Sequence, residues 1–534
     1  MKRKLLTALL CGALMLTSLA GCGQGAGNQS GTSAGGESAV KDELVFVNYR
    51  DIRDLNPHLY AGEMYAQSIL YDTLVSNTSE GYVGCLAEDW TISEDGRTYT
   101  FNIRDGVTFS DGTPCDANAI LANFNAILEN RERHTWLEMM NLLVGVSAPD
   151  DDTFVIEMSE PYYPMLTELA CIRPFAMISP NCMIDGSTKD GVNGYIGTGP
   201  YVLTDFVTDE YAVFERNENY WGEKPAIQKI TVKVIPDNQT RIMALENGEI
   251  DLIFGKNMLD ADAISQYVDS DKFTVGLSDP TSTRHIVLNT THDILGDKSV
   301  RQALQHATNR QAISEGIFYG LEPAADTLYS TTVPYCDVDL EPYAYDMDEA
   351  ARLLDEAGWT MGSDGVRAKD GQKLALDLLY NSDSVTEKTI SEYLQSEYLK
   401  LGISLNIHGE EEQSYRDNMK AGNFDMVFNI CWGMPYDPQS SLAAMRAPVY
   451  GDYAAQQGLE DKAEIDQAIT DILTSTDETK RQELYTFVLT RLHEDAVYIP
   501  LTFETNKALY TSDLKGVHFG TDQYDVDFAS MYFA

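Results

Sequence analysis

The sequence predicts a mixed α/β fold divided into more than one lobe, and three observations carry that expectation. Length comes first: 534 residues are more than one hydrophobic core should hold, at about 100–200 residues per domain. Composition comes second: 43% hydrophobic and 10% aromatic residues suffice for packed interiors and exclude wholesale disorder. The third is pattern. From Asp42 onward, period-two and helical periodicities alternate without an internal repeat.

The N-terminus reads as an address. Lys2, Arg3 and Lys4 precede the mostly apolar stretch from Leu5 to Ala20, which is shorter than the roughly 20 residues a membrane-spanning helix needs. It ends in Leu19-Ala20-Gly21-Cys22, which resembles a bacterial lipobox, so residues 1–22 are expected to be a lipoprotein signal and Cys22 the lipidated residue. Residues 23–41 are Gly/Ser-rich and form a flexible linker. Tyr99, Phe101 and Ile103 then alternate with polar residues ahead of Asp105-Gly106, Val107, Phe109 and Asp111-Gly112, which predicts a hairpin-like segment. Val300, Ala303, Leu304 and Ala307 mark an amphipathic helix. Asp346 and Glu349 form a capping-box variant, Ala350, Leu353, Leu354 and Ala357 share a face, and Gly358 stops that helix.

Several function classes are excluded or unsupported. The 38 basic against 83 acidic residues give −45, the wrong sign for a nucleic-acid face. G-x-S-x-G, H-E-x-x-H, Walker-type and G-x-G-x-x-G motifs are all missing, so a secreted hydrolase has no constellation to work with. A repeat-built adhesin has no repeats. The eight histidines are dispersed, and the most metal-like run, His408-Gly409-Glu410-Glu411-Glu412, reads first as a solvated loop. Cys85, Cys115, Cys171, Cys182, Cys336 and Cys431 form no CxxC pair, and their spacing leaves disulfides and buried free thiols both open.

Blocks in order along residues 43–505 resemble the peptide/nickel class of extracellular solute-binding proteins, family 5, which feed ABC importers. Among them are Leu86-Ala87-Glu88-Asp89-Trp90, Phe101-Asn102-Ile103-Arg104-Asp105-Gly106-Val107, Gly197-Thr198-Gly199-Pro200-Tyr201, Arg216-Asn217-Glu218-Asn219-Tyr220-Trp221 and Val300-Arg301-Gln302-Ala303-Leu304. Within the class the nickel-binding branch is nearest. Leu55-Asn56-Pro57-His58-Leu59-Tyr60, residues 130–138, Arg173-Pro174-Phe175 and Trp432-Gly433-Met434-Pro435-Tyr436-Asp437-Pro438 carry that likeness.

The resemblance implies a two-lobed, periplasmic-binding-protein-like fold of type II, in the family 5 variant with an enlarged first lobe and a ligand cleft between lobes. Lobe I is expected at 42–282, lobe II at 283–504, and 505–534 returns to lobe I. The implied ligand-facing residues are Tyr60, Met64, Arg133, Trp136, Arg173, Trp432, Tyr436 and Tyr450, with Arg446 a weaker candidate. Their chemistry fits: arginines clamp carboxylates, aromatic rings wall a small ligand, and methionine adapts to it. Where the nickel-binding branch presents a metal-touching histidine, this chain has Tyr450, so no direct protein–metal bond is implied.

The implied function is capture of nickel, or another divalent metal, as a small organic chelate, with no resident cofactor and no enzymatic activity. The implied partners are the transmembrane subunits of an ABC permease and a lipid anchor on the extracytoplasmic face of the bacterial membrane, the protein itself being a monomer that binds no nucleic acid. The alternative is a di- or oligopeptide-binding protein, for which Asp437 could meet the peptide amine.

Overall fold

Ten strands form the central sheet: β1 (Glu43–Asn48), β2 (Tyr201–Val207), β3 (Tyr211–Arg216), β4 (Lys229–Val234), β5 (Leu252–Phe254), β6 (Phe273–Leu288), β7 (Ala375–Asn381), β8 (Ser404–Glu410), β9 (Met426–Cys431) and β10 (Tyr498–Thr511). Their order across the sheet is β2-β3-β4-β1-β5-β10-β6-β9-β7-β8. The computed structural model describes residues 41–534 except 61, 79–80, 256–257, 432–437, 521–523 and 525. Cys22, Trp432, Tyr436 and Asp437 therefore lie outside the described residues.

The sheet has two halves. In one, β1 runs parallel to β4 and β5; in the other, β7 runs parallel to β8 and β9. The long antiparallel strands β6 and β10 join them, and their register slips between Leu277 and Pro280 and again between Pro280 and Ser282. Alternation along each strand fills both faces. Phe46 and Phe254 pack with Tyr65 and Ile69 on one face, while Val47 and Ile253 pack with Ile242 and Leu245 on the other. In the second half Ile286 and Leu288 meet Leu304, Leu354 and Leu394, whereas Val287 meets Leu442, Ile469 and Leu489. Among the described residues no helix is long and apolar enough to cross a membrane.

A buried charge cluster sits where β6 and β10 cross between the halves. Arg284 pairs with Glu504 and stands 3.8 Å from Glu322, while Lys507 Nζ lies 3.1 Å from the other Glu322 oxygen. Thr502 donates to Glu322 at 2.9 Å, and Ser282 donates to Glu504.

A smaller sheet built from Ala87–Ile92, Thr98–Ile103, Thr153–Met158 and Leu143–Ser147 adds a separate core with the helix Ala117–Glu129. Here the expected hairpin needs correction. Tyr99, Phe101 and Ile103 do lie on a strand facing the core, but both of its edges are taken, by Ala87–Ile92 and Thr153–Met158. Residues 107–115 instead close their own tight loop, with Cys115 N bonded to Val107 O at 2.9 Å.

The two expected helices form at Lys298–His306 and Met347–Glu356, and Gly358 follows the second at φ +88°. Asp346 caps it by accepting from the backbone of Asp348 and Glu349. The capping box is only half made, because the Glu349 carboxylate turns to Arg352 and the Asp346 N–H is taken by His306 O.

Candidate functional site

Parallel strands leave a crevice beyond their carboxyl ends, where chain direction diverges. At the ends of β1 and β5 that crevice is a cavity of about 420 Å³, lined by Asn48, Arg50, Glu63, Met64, Arg173 and Tyr524 among others. The apolar floor is Phe46, Tyr65 and Phe254, and the helix Met64–Leu70 is seated by burying Tyr65, Ala66, Ile69 and Leu70 beneath it.

Arg173 is held on one edge. Its Nε donates to Gln67 Oε1 at 2.6 Å and its Nη2 to Gly62 O at 2.5 Å. The fork is therefore only partly free for the carboxylate clamp expected of it: Nη1 and the second Nη2 hydrogen remain for a ligand oxygen. Burial lowers the affinity of Arg173 for its proton and the nearby Glu63 raises it, yet a guanidinium stays charged at any physiological pH. Glu63 does not simply cancel this charge, because its oxygens are engaged by Arg50 and by Asn48 Nδ2, the latter at 3.1 Å.

A second group adjoins the first through charge. Arg133 and Arg173 both act on Tyr60 electrostatically. Tyr60 accepts a hydrogen bond from Trp136 Nε1 and lies 2.8 Å from His134 Nδ1. The Tyr60 and Trp136 rings meet edge to face at 6.1 Å, with 38% and 43% of their surfaces exposed. A short helical turn, Arg131–His134, positions these side chains after the helix Ala117–Glu129, burying His134 while Arg133 points outward. The Arg133 side chain makes no hydrogen bond or ion pair among the described residues. In a chain of charge −45, three arginines against one paired glutamate make a local positive basin.

The structure thus brings Tyr60, Met64, Arg133, Trp136 and Arg173 to one region. Tyr450 stands elsewhere, half-buried against the hydrophobic cluster of the second half, beside His285, Asn429, Cys431 and Asp452. Arg446 bonds Thr470 at 2.8 Å and ties two helical segments together. The His408 run is not the expected loop: it spans the end of β8 and the start of the helix Glu412–Ala421, where His408 meets Asp377 and Glu412 pairs with Arg416 at the surface. No cluster of three His, Cys, Asp or Glu able to hold a metal exists among the described residues. The six described cysteines are buried free thiols, which settles the alternative left open by their spacing. Residues that the sequence did not flag are Arg50, Glu63, Gln67 and His134.

The fold is that of the two-lobed solute-binding proteins, with the cavity at the carboxyl ends of β1 and β5. Residues 81–452 match the model of the bacterial extracellular solute-binding proteins, family 5, and the chain belongs to that family. The nickel-binding periplasmic protein of Escherichia coli (strain K12) is 41% identical over 496 residues, 92% of this chain and 94% of that one. NikA from Brucella suis, solved in complex with Fe(III)-EDTA, superposes with a TM-score of 0.89 at 43% identity, covering 92% of this chain and 100% of that one. The dipeptide-binding protein of Escherichia coli (strain K12) is 26% identical over 506 residues, 89% of this chain and 91% of that one. Metal chelates enter such relatives as carried ligands, not as cofactors.

Proposed function

We propose that this protein captures nickel, or another divalent metal, as a carboxylate-bearing chelate and delivers it to an ABC permease, tethered to the extracytoplasmic face of the membrane through a lipid on Cys22. The observation that carries the reading is the free guanidinium of Arg133 and the half-free guanidinium of Arg173 beside the exposed Tyr60–Trp136 pair. Such a site grips anionic oxygens and a flat ligand face, and it has few groups with which to bind a bare cation. Trp432, Tyr436 and Tyr450 are proposed to complete it from lobe II. Burial pushes the Tyr450 hydroxyl up from its ordinary pKa, so it stays neutral and is a poor nickel ligand. The register slips at 277–282 support lobe limits near 282 and 504, with closure about β6 and β10. The peptide reading rests on Asp437, which lies outside the described residues; Glu63, the acid lining the cavity, is already engaged by Arg50 and Asn48.

Tryptophan fluorescence titration tests this. Nickel–EDTA and nickel with excess histidine should quench or shift the emission at low concentration, while aqueous nickel should bind weakly. Tight binding of aqueous nickel would refute the chelate reading, and binding of short peptides with no response to any chelate would transfer the function to peptide capture.

A further inference from the structure

Three polar atoms form a chain at the edge of the cleft, and only one distribution of protons suits them. Trp136 Nε1 can only donate, so it gives its hydrogen to Tyr60 Oη. Beyond it, His134 is wholly buried, with Nδ1 2.8 Å from Tyr60 Oη and with Nε2 meeting no partner. Burial, helped by the neighbouring Arg133, lowers the His134 pKa to about 4, so the ring is neutral and carries one proton. A buried N–H without an acceptor is the rarer and costlier orphan, whereas a buried lone pair is better tolerated. The proton therefore belongs on Nδ1, and His134 donates to Tyr60.

Tyr60 Oη then receives two N–H donors, which occupy both lone pairs and leave its own proton as its sole remaining hydrogen-bonding capacity. We propose that His134 is a positioning residue that makes the Tyr60 hydroxyl a dedicated donor toward an anionic oxygen of the ligand, a chelator carboxylate in particular, and that the site thereby discriminates against ligand groups that present hydrogen-bond donors at this point. This deepens the chelate reading and rests on it. Burial raises the Tyr60 pKa to about 12, so the proton is there to be donated. Two accepted bonds strengthen that donation by polarising the hydroxyl. Arg133 and Arg173 would engage other oxygens of the same ligand, giving three convergent donors.

The test has two arms. In nitrogen-15 NMR of histidine-labelled protein without ligand, His134 should show the Nδ1–H tautomer; an Nε2–H tautomer would overturn the proposal whatever the ligand is. In titrations with nickel–EDTA, Tyr60→Phe should lose about tenfold in affinity, the lower range for a bond to a charged group. His134→Leu should lose a similar factor, and His134→Asn, which keeps an N–H near the Nδ1 position, should recover most of it. Unchanged affinity in Tyr60→Phe, or equal losses in the Leu and Asn variants, would overturn the inference. Failure of the unaltered protein to bind nickel–EDTA would instead defeat the chelate reading, and the tautomer arm would still decide the role of His134.

Discussion

At the scale of single residues, what could be read beforehand was chemistry, and what could not was approach through space. Arg133, Trp136 and Tyr60 stood in recognisable blocks. The anchors of Arg173, by contrast, lie 106 and 111 residues away along the chain, and Tyr60 meets His134 across 74. No local pattern announces a partner at that distance. His134 itself lies in the 130–138 block but reads there as one of eight dispersed histidines. Replacing Arg173 with Ala should cost about 2–5 kcal/mol of chelate affinity, measured by calorimetry with nickel–EDTA; no loss would remove Arg173 from the site. A second expectation concerns pH. Burial holds His58 and His134 near pKa 4 in the fold, against 6.5 unfolded. The unfolded chain thus binds more protons there, and acidification from pH 6.5 toward 4 favours unfolding. Glu168 opposes this, because burial raises it to about 8 from 4.5, so its stabilising protonation is lost as pH rises toward 8. The summed contribution of these three rises with pH while both histidines outweigh the one carboxyl, and falls once the histidines are neutral in both states, giving a maximum near pH 6.5. Urea unfolding across pH 5–8 should show that maximum, and a steady rise to pH 8 would contradict it.

At the scale of elements, helices with a clear stripe and a start signal were legible, and strand partners were not. Val300, Ala303 and Leu304 are fully buried on the helix they predicted. The alternation of Tyr99, Phe101 and Ile103 correctly marks a strand, but Asp105-Gly106 cannot disclose that both edges of that strand are occupied, one of them by Thr153–Met158, whose register pairs Thr98 with Glu157. Pairing is a choice among all available edges, and the turn signal sees only its neighbours. The Asp346 cap gives a measurable case. Its carboxylate accepts from two backbone N–H groups, so Asp346→Ala should destabilise the protein by about 1 kcal/mol. Asp346→Asn, which preserves an acceptor, should cost less. Chemical denaturation would show the difference, and equal effects would mean that the cap is not what Asp346 contributes.

At the scale of the whole molecule, the two-lobed class followed from the ordered family blocks, whereas the charge cluster at the crossing strands left no trace in the sequence. Its members are scattered over residues 282–507 and meet because β6 and β10 lie side by side and the segment carrying Glu322 packs against both. Lys507→Met should cost about 3 kcal/mol, the low end for breaking a buried pair, since Arg284 still stands 3.8 Å from Glu322. Combining it with Glu322→Gln should restore much of that stability, because no uncompensated carboxylate is left behind. Additive losses in the double variant, read from denaturation midpoints, would argue against a coupled pair. Attachment belongs to the same scale. Cys22→Ala should release the protein from membrane fractions and change its mature mass, and unaltered fractionation with an unaltered mass would rule out the lipid anchor.

The buried thiols carry a practical consequence. Cys115 belongs to the core of the small sheet, Cys182 to the core beneath the cleft, and Cys336 and Cys431 to a core of the opposite half. Burial also pushes Cys115 and Cys431 away from the reactive thiolate. A thiol reagent can modify such groups only during moments when the surrounding packing opens. The rate at which each becomes labelled is therefore a clock for the breathing of its own core, and a ligand that draws the halves together should slow some of these clocks while leaving others running at their former pace.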